Sequence, residues 1–243
     1  MLLATSVSSV LNLIYDVFAG RFYGYVLLGM LILALICQIK VKTTFSKYNK
    51  ITPANRMKAS EAARLILDMN GLYDVDVVHI PGNLNDHYDH SRKAVCLSDS
   101  TFDINSIGAI GVAAHECGHA IQYARGYGPI KLRNNIAPAM QFVSGAWFWV
   151  LAVGFLFEWM VAIEIGIVFY SAVVLFQLIT LPVEFDASKR AINTVFANQI
   201  LTGTELDGAR KVLNAAAMTY VASFITSVVQ LLRLILIARG KRR

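Results

Sequence analysis

Three stretches of this chain are too long and too apolar to be left in water. Phe22 to Ile39 carries no charge, Ala137 to Pro182 only Glu158 and Glu164, and Val212 to Ala238 only Arg233. A helix needs roughly 20 apolar residues to cross a bilayer, so the first run is about one span long and the second is long enough for two. Glu158 and Glu164 bracket the turn expected between those two, and Pro182 marks the expected end of the second. The last run is a fourth span or an interfacial or re-entrant segment, with Arg233 snorkelling or partly wet. Composition agrees: 56% of residues are hydrophobic and 16% charged, against roughly 25% charged in soluble domains. Mean hydropathy is +0.53.

The formal charge of +6 is not a nucleic-acid signature, because the basic residues cluster where apolar runs end. Lys40, Lys42, Lys47, Lys50, Arg56 and Lys58 follow the first span, Lys131 and Arg133 precede the second, and Lys189, Arg190, Arg210 and Lys211 follow the third. All fall on one side of a membrane, which the positive-inside rule makes cytoplasmic. No nucleic-acid partner is expected; a lipid bilayer is. Cys37, Cys96 and Cys117 form no disulfide framework.

The expected organisation is an N-terminal segment and first span over 1–42, a catalytic domain over 43–137, two spans over 138–183, a helical segment over 184–211, and an apolar segment with a basic tail over 212–243. In the second part, Lys58 to Asn70 reads as an amphipathic helix with Ala62, Leu65, Ile66 and Met69 on its buried face. Val75 to Ile80 reads as a strand. Arg92 to Ser98 reads as another, either an edge that pairs with an extended substrate or a core strand. Thr204 with Asp207 resembles a helix N-cap box. The fold class is thus a mainly α membrane protein with three to four transmembrane helices and a small α+β domain.

That domain carries His115-Glu116-Cys117-Gly118-His119. On a helix, positions i and i+4 share a face, so both imidazoles reach one metal ion, and the offset glutamate is placed as a general base. Asn105 or Ser106 can cap a helix starting near Ile107, and Gly126, Gly128 and Pro129 supply its stop. The helix is apolar almost all round, so two histidines and a glutamate inside it need a partner, which a metal provides. Cys117 faces away and reads as a core residue. A catalytic zinc takes a third protein ligand. Glu184, emerging from the third span on the domain side, competes for that place with Asp186, His87, His90 and His79.

The stretches Gly82-Asn83-Leu84-Asn85-Asp86-His87-Tyr88-Asp89, Leu97-Ser98, Ala114 to Gln122 around the motif, and Leu181 to Ser188 resemble the YugP-type neutral zinc metallopeptidases of bacterial membranes. H-E-x-x-H followed, after apolar spans, by a helical glutamate is also similar to the gluzincin pattern of HtpX-type heat-shock proteases and CAAX prenyl proteases. The resemblance implies Glu184 as third ligand, one Zn2+ per chain, a multi-pass protein of the bacterial inner membrane, and a peptide or protein substrate. HtpX-type proteins carry aspartate four residues after the ligand glutamate, where this chain has Ser188, so Asp186 is the candidate to steady a ligand histidine. His87, Tyr88 and Arg190 are candidates for donating to the developing oxyanion. The expected activity is zinc-dependent endopeptidase with Glu116 as general base. The alternative is a non-catalytic membrane scaffold or metal sensor holding a closed, structural zinc.

Overall fold

In the computed structural model, residues 16, 17, 20 and 22–241 are described. Most of the expected N-terminal segment and the Arg242–Arg243 end of the basic tail lie outside them. The elements in chain order are α1 (Tyr23–Tyr48), α2 (Ala59–Met69), β1 (Asp76–Ile80), β2 (His87–Asp89), β3 (Ala94–Ser98), α3 (Ile107–Ala124), α4 (Gly128–Leu156), α5 (Met160–Ala197) and α6 (Gly203–Lys241). Four of them, α1, α4, α5 and α6, are long and apolar enough to cross a membrane.

Proline and charge mark the helix ends less sharply than expected. Pro182 lies inside α5, which runs on to Ala197. Proline removes one backbone donor, but a helix held by its neighbours tolerates that loss. α4 begins at Gly128, not near Ala137, with Pro129 in its first turn, where a missing N–H costs nothing. The chain breaks instead at Gly126, whose φ of +69° suits glycine. Glu158 sits in the turn between α4 and α5, while Glu164 is already within α5. Thr204 caps nothing at its expected place, because α6 already includes Gly203.

The chain divides into two compact units. One comprises residues 1–36, 134–178 and 220–243. Its interior is a cluster of Leu151, Ile163, Tyr170, Val174, Leu234 and Ala238. Gly154 and Gly166 let α4 and α5 approach closely, since a Cβ on either would meet Ile163 or Leu151 at under 3.0 Å. Arg233, expected to snorkel, lies 4.1 Å over the Tyr23 ring. Apolar side chains such as Leu28, Leu31 and Leu35 of α1 are exposed, as lipid-facing residues are.

The other unit comprises residues 37–133 and 179–219. Its core joins Ala62, Ala63, Ile66 and Leu67 of α2 to Val95 and Leu97 of β3, Ile110, Ala113 and Cys117 of α3, and Val195 and Ala209 from α5 and α6. α2 is amphipathic as expected, but its buried face is turned: Ala63 and Leu67 are fully buried while Met69 is 52% exposed. The sheet order is β1-β3-β2, with β1 parallel and β2 antiparallel to β3. β3 is therefore the central strand, buried at every position, and not an edge open to substrate. The edge is β2, a strand that the sequence reading leaves as loop. Asp86 just before it accepts from the Ser98 N–H at 2.8 Å, fixing β2 beside β3.

Candidate metal centre and active site

α3 starts at Ser106, whose hydroxyl oxygen accepts from the Ala109 N–H at 3.1 Å. Nearly every residue from Ile107 to Gln122 is buried, the motif included except for His115, which is part-buried. His115 and His119 lie one turn apart, their rings edge to face with centroids 4.7 Å apart. Opposite them on α5, the Glu184 side chain is 3% exposed, with Oε2 at 3.2 Å from His115 Nε2 and 3.7 Å from His119 Nε2. Donors bound about 2.0–2.1 Å from a tetrahedral zinc stand roughly 3.3–3.4 Å from one another. The two separations from Glu184 are thus close to those a metal would hold, and the three ligand atoms all lie within 4.8 Å of one another. Among the described residues, His115, His119 and Glu184 form the one group of metal-ligating side chains drawn this close.

Gly118 makes the approach possible. A Cβ there would collide with the Ala187 carbonyl oxygen and lie 3.0 Å from its carbon and 3.2 Å from Cα. Of the two variable positions in the motif, Cys117 turns into the core toward α2, its thiol pushed up by burial. Gly118 lets the backbone of α5 lie against α3.

Each histidine is held from behind. Gln122 is fully buried. Its amide nitrogen donates to Val183 O at 2.8 Å and to Asp186 Oδ2 at 2.8 Å. Both amide hydrogens are thereby used, so Oε1, 3.1 Å from His119 Nδ1, must accept. His119 then carries its proton on Nδ1 and leaves the Nε2 lone pair, on the side of Glu184, free for a metal. Asp186 acts on His119 through Gln122, and its Oδ2 also accepts from Arg190 Nε at 2.6 Å. Ser188 stands 3.1 Å from His115 Nδ1, in the place where the related pattern has aspartate. Glu184 Oε1 pairs with Arg133 at 3.3 Å, which leaves Oε2 facing the histidines.

Glu116 is buried beside this group. Burial raises its pKa to about 7, against the pull of His115; Glu184 and Asp86 push it further up, and the Tyr88 backbone N–H draws it down. Tyr88 lies on β2, its phenol raised to about 12, chiefly by burial. The other candidates are elsewhere or engaged. His79 pairs with Asp99 at 2.7 Å, His87 bonds Asn85 O at 2.9 Å, and His90 packs against Tyr123. Arg190 is tied to Asp186 and lies 5.8 Å over Tyr127.

Residues 23–239 match the family described as "Putative neutral zinc metallopeptidase". The chain belongs to that family. It is also 45% identical, over 205 residues, to a Bacillus subtilis (strain 168) protein described as "Putative membrane protease YugP", covering 84% of this chain and 91% of that one. No solved structure matches it. Zinc is accordingly its cofactor, and the His–His–Glu group has the donors and spacing that zinc takes. Gln122 and Arg133 were given no site role in the sequence, and Ser188 was noted only as standing where the HtpX-type pattern has aspartate. One signal pointed to Gln122: it lies three residues after His119, on the same helix face.

Proposed function

We propose that this protein is a membrane-embedded zinc endopeptidase in which His115, His119 and Glu184 hold the metal and Glu116 is the general base. Bound there, zinc supplies a Lewis acid that polarises the scissile carbonyl and makes water acidic near neutral pH. The observation that carries the reading is Glu116 itself: a buried carboxylate next to His115 in the chain and beside the three converging ligand side chains. A carboxylate so poised takes a proton from the attacking water and passes it to the leaving amine. No fourth His, Cys, Asp or Glu joins the group among the described residues, which favours an open, catalytic position over a closed structural site. β2 is the sheet edge nearest the base, since its Tyr88 N–H reaches Glu116. An extended peptide pairing along β2 would be presented to that carboxylate.

The catalytic part is the domain over 43–137 completed by 184–211. The basic residues that follow or precede the spans, from Lys40 to Arg133 and from Lys189 to Lys211, belong to the unit that holds the site, which supports a cytoplasmic catalytic face in the cell membrane. The test is Glu116→Gln in the full chain reconstituted in liposomes, assayed with a quenched-fluorescent casein and for zinc content. The expected result is one zinc per chain with hydrolysis reduced at least a thousandfold, on the order of the loss when a catalytic base is removed. Cleavage at the wild-type rate would overturn the assignment.

A further inference from the structure

Lysines converge away from the metal centre. On α1, Lys40, Thr43, Thr44 and Lys47 recur at i, i+3, i+4 and i+7, and so form one stripe. On α6, Lys211 and Asn214 face that stripe, and together they line an open cavity of about 510 Å3. A seam between two helices is ordinarily apolar. This one brings three ammonium groups to a single space with no carboxylate among its lining residues. Among the described residues, none of the three lysines makes an ion pair. Several other basic side chains of the unit do, Lys58 with Asp103, Lys93 with Asp74, Arg133 with Glu184 and Arg190 with Asp186, while Lys47 lies 5.5 Å over the Tyr48 ring. Among the described residues, Asn214 and Thr44 make no side-chain hydrogen bond, whereas Thr43 donates to Ile39 O at 2.8 Å.

We propose that this cavity binds the phosphodiester headgroup of an anionic phospholipid. Three like charges facing one cavity repel each other unless an anion lies between them. The amide and hydroxyls supply the neutral donors and acceptors that a glycerol headgroup would use. Position selects a lipid over a free anion. The cavity opens where the apolar part of α1 ends, with Ile39 61% exposed immediately before Lys40. A basic pocket at the end of a membrane helix stands at headgroup depth, where each lysine adds to the attraction for anionic lipid.

The experiment uses the full-length zinc-loaded protein in neutral detergent. Phosphatidylglycerol, phosphatidylcholine and inorganic phosphate are offered separately, and bound lipid is counted by native mass spectrometry. Phosphatidylglycerol is expected to be retained over phosphatidylcholine. Lys40→Gln/Lys47→Gln/Lys211→Gln should weaken that binding by on the order of a hundredfold, while the charge-matched Lys42→Gln/Lys50→Gln/Lys131→Gln keeps it. Lysine acetylation of the wild-type protein checks the site without substitution: phosphatidylglycerol should protect Lys40, Lys47 and Lys211 more than Lys42 and Lys50. Equal retention of both lipids, equal loss in both triple variants, or unprotected cavity lysines would overturn the proposal. Displacement of the lipid by equimolar inorganic phosphate would do so as well, by making the site one for the free ion.

Discussion

Gly118→Ala isolates what the close approach of α3 and α5 contributes. The new methyl would lie on the Ala187 carbonyl oxygen and 3.0–3.2 Å from the adjoining carbon and Cα. Carbon atoms rest about 3.5–4.0 Å apart. α5 must therefore retreat by roughly 0.5–1 Å, because the obstacle is backbone and cannot rotate aside. Overpacking of this kind costs about 1–3 kcal/mol, partly offset by the roughly 1 kcal/mol that alanine gains over glycine within a helix. The larger effect falls on the metal. Glu184 sits three residues before Ala187 on the retreating helix, and metal–ligand distances tolerate only about 0.2 Å. Zinc affinity, measured by competition with a chromogenic chelator, should fall about tenfold or more. Gly111→Ala is the matched control on the same helix: its methyl would meet the Ala209 Cβ at 3.4 Å and Cα at 3.5 Å, ordinary contact. It should keep zinc and match or exceed wild-type stability. If Gly118→Ala binds zinc as tightly as Gly111→Ala does, the reasoning fails.

Gln122→Leu keeps the volume but takes one donor from the Asp186 carboxylate and from the Val183 carbonyl, and leaves the His119 Nδ1–H without its acceptor. It should lower zinc affinity by about 10- to 100-fold and alter the visible spectrum of the cobalt-substituted protein. An unchanged cobalt spectrum would show that Gln122 does not orient His119. Metal-stripped protein should lose stability as pH rises from about 4.5 toward 7. Over that window the folded state keeps the Glu116 proton that the unfolded chain gives up, since burial raises the folded pKa to about 7. Above it the cost reaches roughly 3 kcal/mol. Thermal melts in EDTA should show this slope in wild type and a flatter one in Glu116→Gln; equal slopes would mean that Glu116 is not buried as an acid.

The parts of the site legible in the sequence are those fixed by short-range periodicity. His115, Glu116 and His119 announce themselves because four residues make one helical turn, and Ser106 caps that turn locally. Glu184 needed the resemblance, since nothing within its own stretch separates a metal ligand from a boundary carboxylate. Gln122, Arg133 and the contact Ser188 makes were hidden because their partners lie far off in sequence: Gln122 reaches Val183 across 61 positions and Ser188 reaches His115 across 73. Strand order was invisible for the same reason. Val95 and Leu97 alternate like one face of an edge strand, yet Ala94 and Cys96 are just as buried, because small residues suit the second covered face of a central strand. Pro182 misled because proline removes only one backbone donor, and the long helix runs on through it to Ala197.

Glu184 lies on a helix that is also a candidate membrane span. α5 begins as an apolar span at Met160 and still carries the same helix at Glu184, Asp186 and Ser188. Around Glu184 the 3.6-residue period sets its neighbours: Ser188, one turn on, meets His115, and Asp186 meets Gln122. The core shows the same dependence. Val195 and Ala191 of α5 and Leu206, Ala209 and Leu213 of α6 pack among the α2 and α3 residues, so residues 43–137 by themselves leave that face bare and lack the third ligand. A small domain of this size is marginal in core. Here the helices that complete its core also complete its metal site, so an apolar helix rather than an additional strand or loop brings the zinc group together.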